Sequence, residues 1–118
     1  FTINSFVIYV ENINKSMAFY EKAFSSKPNQ LPTFAALNFA DNVTITLKES
    51  SDLSPKSEVK GGGAEISIAV SDKNSLDQLF RNWNKLNIRF EQSIEELVFG
   101  FNFLAVDPDG HRIRVFCG

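Results

Sequence analysis

A short pattern near the start of the chain recurs sixty residues later, and this repeat constrains the fold more than any other feature. Val10-Glu11-Asn12-Ile13-Asn14 corresponds to Val70-Ser71-Asp72-Lys73-Asn74. In both copies an alternating apolar strand runs into a short polar side chain that can cap a helix, and an aromatic-bearing helix follows (Phe19-Tyr20 against Leu79-Phe80). At the far end Ile45-Thr46-Leu47 corresponds to Ile113-Arg114-Val115 at a shift of 68, so the second copy is longer by one strand extension. Two copies of a strand–helix–three-strand unit are the simplest account.

The elements follow from periodicity. Ile3 to Val10 alternates as a strand, with Phe6, Ile8 and Val10 on one face and Ser5, Val7 and Tyr9 on the other. Asn12 or Asn14 caps a helix whose apolar positions are Met17, Tyr20 and Phe24, with Ala18, Phe19 and Ala23 beside them. Strands are expected at Asn29–Thr33, Phe34–Phe39 and Val43–Glu49, the last two joined by a tight turn at Ala40-Asp41-Asn42. Residues 50–63 are polar, contain Pro55 and end in Gly61-Gly62-Gly63, which reads as a hinge or linker. In the second copy, Ile66, Ile68 and Val70 oppose Glu65, Ser67 and Ala69. Asp72 or Asn74 caps a helix striped by Leu76, Leu79, Phe80, Trp83 and Leu86. Strands are expected at Ile88–Gln92, Phe99–Val106 and Arg112–Cys117, with Asp107-Pro108-Asp109-Gly110 as the last turn.

The fold class is therefore α+β: one domain over residues 1–118, with module one at 1–49, a linker at 50–63 and module two at 64–118. Each helix covers one face of its sheet. The other faces need a cover, and curling the two sheets toward each other makes a curved mixed-sheet cup with the helices outside. Twelve Phe residues in 118 suit either a bulky core or an apolar cavity with large walls.

Bulk properties exclude several partners. A net charge of −2 with scattered basic residues argues against nucleic acid. The lone Cys117 cannot form an internal disulfide, and no apolar run approaches the ~18 residues of a membrane span. No signal peptide precedes the first strand, so a cytoplasmic location is expected, with no membrane partner. The chain opens at Phe1 without Met, so a residue or a tag is expected to be missing there.

The run from Phe6 to Tyr20 resembles the opening strand and helix of the vicinal oxygen chelate superfamily. Gly100, Phe103 and Asp107-Pro108-Asp109-Gly110-His111-Arg112-Ile113 resemble its closing hairpin. That superfamily includes glyoxalase I, fosfomycin-resistance thiol transferases, extradiol dioxygenases and bleomycin-resistance proteins. The resemblance covers essentially the whole chain and speaks to fold more than to chemistry. Its enzymes hold a divalent metal with His and Glu on inward-facing strand positions. Carried over, these positions fall on Ser5, Thr46, Glu65 and Arg114. One carboxylate beside a guanidinium is not a divalent site, so no metal and no other cofactor is expected. Facing one cavity, Glu65 and Arg114 are expected to pair where the metal would sit, either anchoring an anionic or carbonyl-bearing ligand or plugging the site.

The remaining candidates weigh differently. Tyr9 falls with Ser5 and Val7 on the cup face, where it can stack on a flat ligand. Phe99, Phe101 and Phe103 either line the cup or bury in a dimer contact. Glu91, Glu95 and Glu96 read as a solvated loop or as an acidic rim suited to a cationic drug. His111, the only histidine, has a structural role in its turn; Trp83 belongs to the core; Cys117 is inert. No catalytic residue is nominated.

The leading expectation is a metal-independent protein that binds and sequesters a small drug-like or aromatic ligand. Its proposed contacts are Ser5, Val7, Tyr9, Thr46, Glu65, Ser67, Phe101, Phe103 and Arg114. The resemblance implies a homodimer that completes the cup. The alternatives are a glyoxalase-like lyase or dioxygenase with an atypical metal site, using Glu65 as acid or base, and an interaction domain whose cup is filled by its own aromatics.

Overall fold

The computed structural model describes residues 1–40 and 42–118, and the side chains of all of these except Phe39 and Ala40. The chain forms two compact units, Phe1–Lys60 and Gly61–Gly118. In the first, β1 (Phe6–Val10) leads to α1 (Ile13–Phe24), β2 (Asn29–Gln30), β3 (Ala35–Ala40) and β4 (Val43–Glu49). In the second, β5 (Glu65–Ala69) leads to α2 (Lys73–Lys85), β6 (Arg89–Leu97), β7 (Gly100–Val106) and β8 (Arg112–Cys117). The two four-stranded mixed sheets have the same plan: β1-β4-β3-β2 and β5-β8-β7-β6, with the first strand of each parallel to the last. The repeat is thus a pair of βαβββ modules.

Each helix starts where a short side chain replaces a missing backbone partner. Asn12 Oδ1 accepts from the Lys15 N–H at 3.1 Å, and Asp72 Oδ1 accepts from the Ser75 N–H at 2.7 Å. Each such cap contributes about 1 kcal/mol. α1 packs on β3 and β4, where its Phe19, Tyr20 and Ala23 are buried together with Ala35, Leu37, Ile45 and Leu47 of the sheet. Under α2 the core is aromatic. Phe103 is 0% exposed, and its ring centroid lies 5.2 Å from Phe80, 5.7 Å from Phe90 and 5.7 Å from Trp83, all edge-on. Such contacts add to the burial of large apolar surface.

Several elements depart from expectation for identifiable reasons. β2 stops at Gln30 instead of reaching Thr33, because Pro32 lacks the N–H the ladder needs and the chain turns back with Leu31 N–H donating to the Phe34 carbonyl at 2.8 Å. The Ala40-Asp41-Asn42 turn includes Asp41, which lies outside the described residues. β6 runs on to Leu97, so Glu91, Glu95 and Glu96 sit in a strand, not a loop. This is the extension that lengthens the second module. β6 absorbs it with two register shifts against β7, one between Phe90 and Gln92 and one between Gln92 and Glu95.

The glycine triplet begins the second unit and is anchored there. Gly61 N–H donates to the Asp109 carbonyl at 3.2 Å, and a Cβ on Gly61 would collide with the backbone of Gly110 and His111. The turn it meets is itself fastened: Asp107 Oδ1 accepts from the N–H groups of Asp109 and His111, both at 2.9 Å. Gly61 is therefore a close-approach residue, not part of a slack hinge.

Candidate ligand-binding site

Alternation along β8 builds the site. Ile113, Val115 and Cys117 are buried on the α2 side, so Arg112, Arg114 and Phe116 point to the far face. Register extends that far face to neighbouring strands. Glu65 pairs with Arg112 and Ser67 with Arg114 on β5; Asn102 pairs with Phe116 and Leu104 with Arg114 on β7. On β6, Gln92 pairs with Leu104 and Glu95 with Asn102.

Arg114 is the centre of a hydrogen-bonded network on this face. Its Nε and Nη2 donate to the two Glu65 carboxylate oxygens, each at 2.9 Å. Its Nη1 donates to Asn102 Oδ1 at 2.6 Å and to Gln92 Oε1 at 3.3 Å. Gln92 Nε2 donates to the same Asn102 oxygen at 3.3 Å, and Asn102 Nδ2 donates to the Glu95 carbonyl at 3.4 Å. Asn102 is 1% exposed, so its amide orientation is dictated by the cation it faces. The bidentate fork is the strong form of a charge-assisted hydrogen bond.

The pair polarises both members. The hydrogen bond from Arg114 holds the Glu65 carboxyl below its ordinary value, against a smaller upward push from burial. The reciprocal bond raises the Arg114 guanidinium further. A second ion pair links β8 to β6, with Arg112 Nη2 3.2 Å from Glu91 Oε2.

The first unit has an uncharged counterpart. Thr46 Oγ1 donates to Ser5 Oγ at 3.1 Å, and Thr44 Oγ1 donates to Asn38 Oδ1 at 3.0 Å. Val7 is in register with Thr46 and Tyr9 with Lys48, so both lie on the face away from α1; Val7 is exposed and Tyr9 half-buried.

The four positions that the resemblance would give to a metal do not fit one. Two hold hydroxyls bonded to each other, one holds a cation, and the single carboxylate has both oxygens on that cation. A divalent ion needs three or four convergent donors. Among the described residues, no three His, Cys, Asp or Glu side chains group so as to hold a metal ion.

Two expected contacts are corrected. Phe103 pairs with Val115 and Phe101 with Cys117, which puts both on the α2 side. Phe103 fills the core there, and the Lys73 ammonium stands 4.9 Å from the Phe101 ring centroid. The aromatic half of β7 feeds the helix-covered core, which leaves Asn102 to the far face. The aromatic alternation of β7 conceals Asn102, and the register shifts of β6 conceal Gln92. The signal that could have found Asn102 is its place one residue from Phe101 and Phe103, once Phe103 is assigned to the core.

Similarity to known proteins agrees with this architecture. Residues 2–115 match the model of the Glyoxalase/Bleomycin resistance protein/Dioxygenase superfamily. The chain is 31% identical, over 97% of its length and 90% of the relative's, to the phenazine antibiotic resistance protein EhpR of Enterobacter agglomerans. Its fold is similar to that of protein ATC0852 of Agrobacterium tumefaciens (TM-score 0.84, 29% identity, 98% of each chain). It is also similar to the fosfomycin resistance protein FosX of Listeria monocytogenes (TM-score 0.79, 16% identity, 99% of this chain and 93% of the other). The repeated βαβββ plan and the match over residues 2–115 together place this chain in the Glyoxalase/Bleomycin resistance protein/Dioxygenase superfamily.

Proposed function

We propose that the protein is a metal-independent binder that sequesters a small, partly aromatic molecule. The observation that carries this reading is the Glu65–Arg114 fork: the one carboxylate at the family's metal positions is already bound on both oxygens. Such a face offers hydrogen bonds and a fixed polar plate, which suits binding better than Lewis-acid chemistry. The likeness to a phenazine antibiotic resistance protein supports a flat heteroaromatic ligand. The proposed contacts are Ser5, Val7, Tyr9 and Thr46 on the first sheet, and Glu65, Ser67 and Arg114 on the second. The reading includes a homodimer, supported by Phe6, which is 67% exposed on the edge strand β1.

The test is a thermal shift with phenazine after exhaustive dialysis against EDTA, with calorimetry to give the affinity. A ligand at 100 times its Kd adds about 2.7 kcal/mol to a folded state it binds alone. A clear upward shift without metal, weakened by Tyr9→Ala and by Arg114→Ala, is the expected result. Stoichiometric metal in the purified protein, with a shift on adding Zn²⁺, Ni²⁺, Mn²⁺ or Fe²⁺ and none with phenazine, would overturn the reading in favour of a lyase or dioxygenase.

A further inference from the structure

We infer that the far face of the second sheet discriminates ligands by charge: it accepts neutral hydrogen-bond acceptors and rejects carboxylates, and Glu65 sets that preference. The inference rests on the reading above that this face contacts a small molecule.

A lone arginine at the centre of a site selects anions, because its planar fork matches a carboxylate. Arg114 cannot do so. The guanidinium has five N–H donors, and the structure commits four of them: two to Glu65, one to Asn102 and one to Gln92. Among the described residues this leaves one Nη2 hydrogen. A ring nitrogen, amide oxygen or ketone needs one donor and can take it without disturbing the network. A carboxylate would seek the fork that Glu65 holds, and would bring a second negative charge beside it.

Neighbouring charges reinforce the same preference. Arg112, the other arginine of β8, also has a carboxylate of its own in Glu91 at 3.2 Å. Glu95 shares the far face in register with Asn102. Neither β8 arginine therefore offers an uncompensated positive charge to an incoming anion. The network is also within a ligand's reach, since the Arg114 and Glu65 side chains are 27% and 34% exposed. A purely structural plug would not need this access.

The experiment compares two probes of nearly the same size and shape, the neutral phenazine-1-carboxamide and the anionic phenazine-1-carboxylate, by calorimetry at pH 7.5. The wild-type protein is expected to bind the carboxamide at least tenfold more tightly. Glu65→Gln keeps the side-chain shape, releases the Arg114 charge and is expected to reverse the preference in favour of the carboxylate. Near-UV circular dichroism checks that the variant is folded. The double variant Glu65→Gln with Arg114→Gln removes both charges and is expected to lose the acquired preference for the carboxylate. The wild-type ratio tests the inference even if a variant does not fold. Tighter binding of the carboxylate by the wild-type protein, or an unchanged ratio in folded Glu65→Gln, overturns the inference while leaving the binding function standing. Binding of neither probe overturns the binding reading, and this inference with it.

Discussion

Arg114 Nη1 and Asn102 Oδ1 lie 2.6 Å apart although the two residues are not register partners: Arg114 pairs with Leu104 and Asn102 with Phe116. The guanidinium therefore reaches diagonally along the sheet, with β5 contributing Glu65 on one side and β7 contributing Asn102 on the other. A group held from two strands keeps one orientation, which is the condition for a side chain to recognise anything specifically.

The aromatic core predicts unequal costs for two similar substitutions. Phe103→Ala removes a fully buried ring that touches Phe80, Phe90 and Trp83, and should destabilise the fold by about 3–5 kcal/mol. Phe101→Ala removes a half-buried ring and should cost clearly less. Urea denaturation of the two variants checks this, and equal losses would place Phe101 in the core as well.

Gly61 and Gly63 should respond oppositely to a methyl group. In Gly61→Ala the new Cβ meets the backbone of Gly110 and His111, so the turn must shift at a cost of about 1–3 kcal/mol. In Gly63→Ala the Cβ meets open space, and lost backbone freedom in the unfolded chain makes the change neutral or slightly stabilising. Melting temperatures of the two variants separate these outcomes.

Acid should weaken the fold through Glu65. Its folded value is lowered by the hydrogen bond from Arg114, so the unfolded chain binds the proton more readily. The contribution is complete above pH 4.5 and drains as the pH falls from there through the lowered folded value. Glu65→Gln should flatten the stability profile in that acid window and change little at pH 7, where an ion pair this exposed is worth no more than about 1 kcal/mol. Denaturation midpoints measured from pH 7 down to pH 3 in both proteins would show the difference.

The α2 cap is the simplest local test. Asp72→Ala removes the acceptor for the Ser75 N–H and should cost about 1 kcal/mol, whereas Asp72→Ser, which keeps an acceptor, should recover most of it. Urea midpoints for the pair decide the matter.

The residues made some features legible and hid others. The duplicated strand–helix pattern was readable because alternation and capping are local: Ser5, Val7 and Tyr9 do fall opposite Ile8 and Val10, and Asn12 and Asp72 do cap. The partners Glu65 and Arg114 were readable once their strands were aligned with a family. The surroundings of Arg114 were not. Which parity of β7 faces the helix depends on how Phe103 packs against Phe80, Phe90 and Trp83, a tertiary fact with no local signature. Gln92 was hidden by the irregular register of β6, which no count of alternate residues can anticipate.

That irregularity acts as a phase shifter. Phe90 and Gln92, two positions apart, would share a face in an unbroken strand, yet Phe90 pairs with Ala105 under α2 and Gln92 pairs with Leu104 beside Arg114. The additional residue, Glu91, makes the change of side. Were Glu91 kept but drawn into regular alternation, an amide would enter the aromatic core or an aromatic ring would move onto the polar plate. Were it deleted, Phe90 and Gln92 would become neighbours opposite Ala105 and Leu104, and each would keep its side. In this fold, therefore, one irregular step in a strand is itself chemical information, because it lets two side chains of the same parity serve the core and the polar plate.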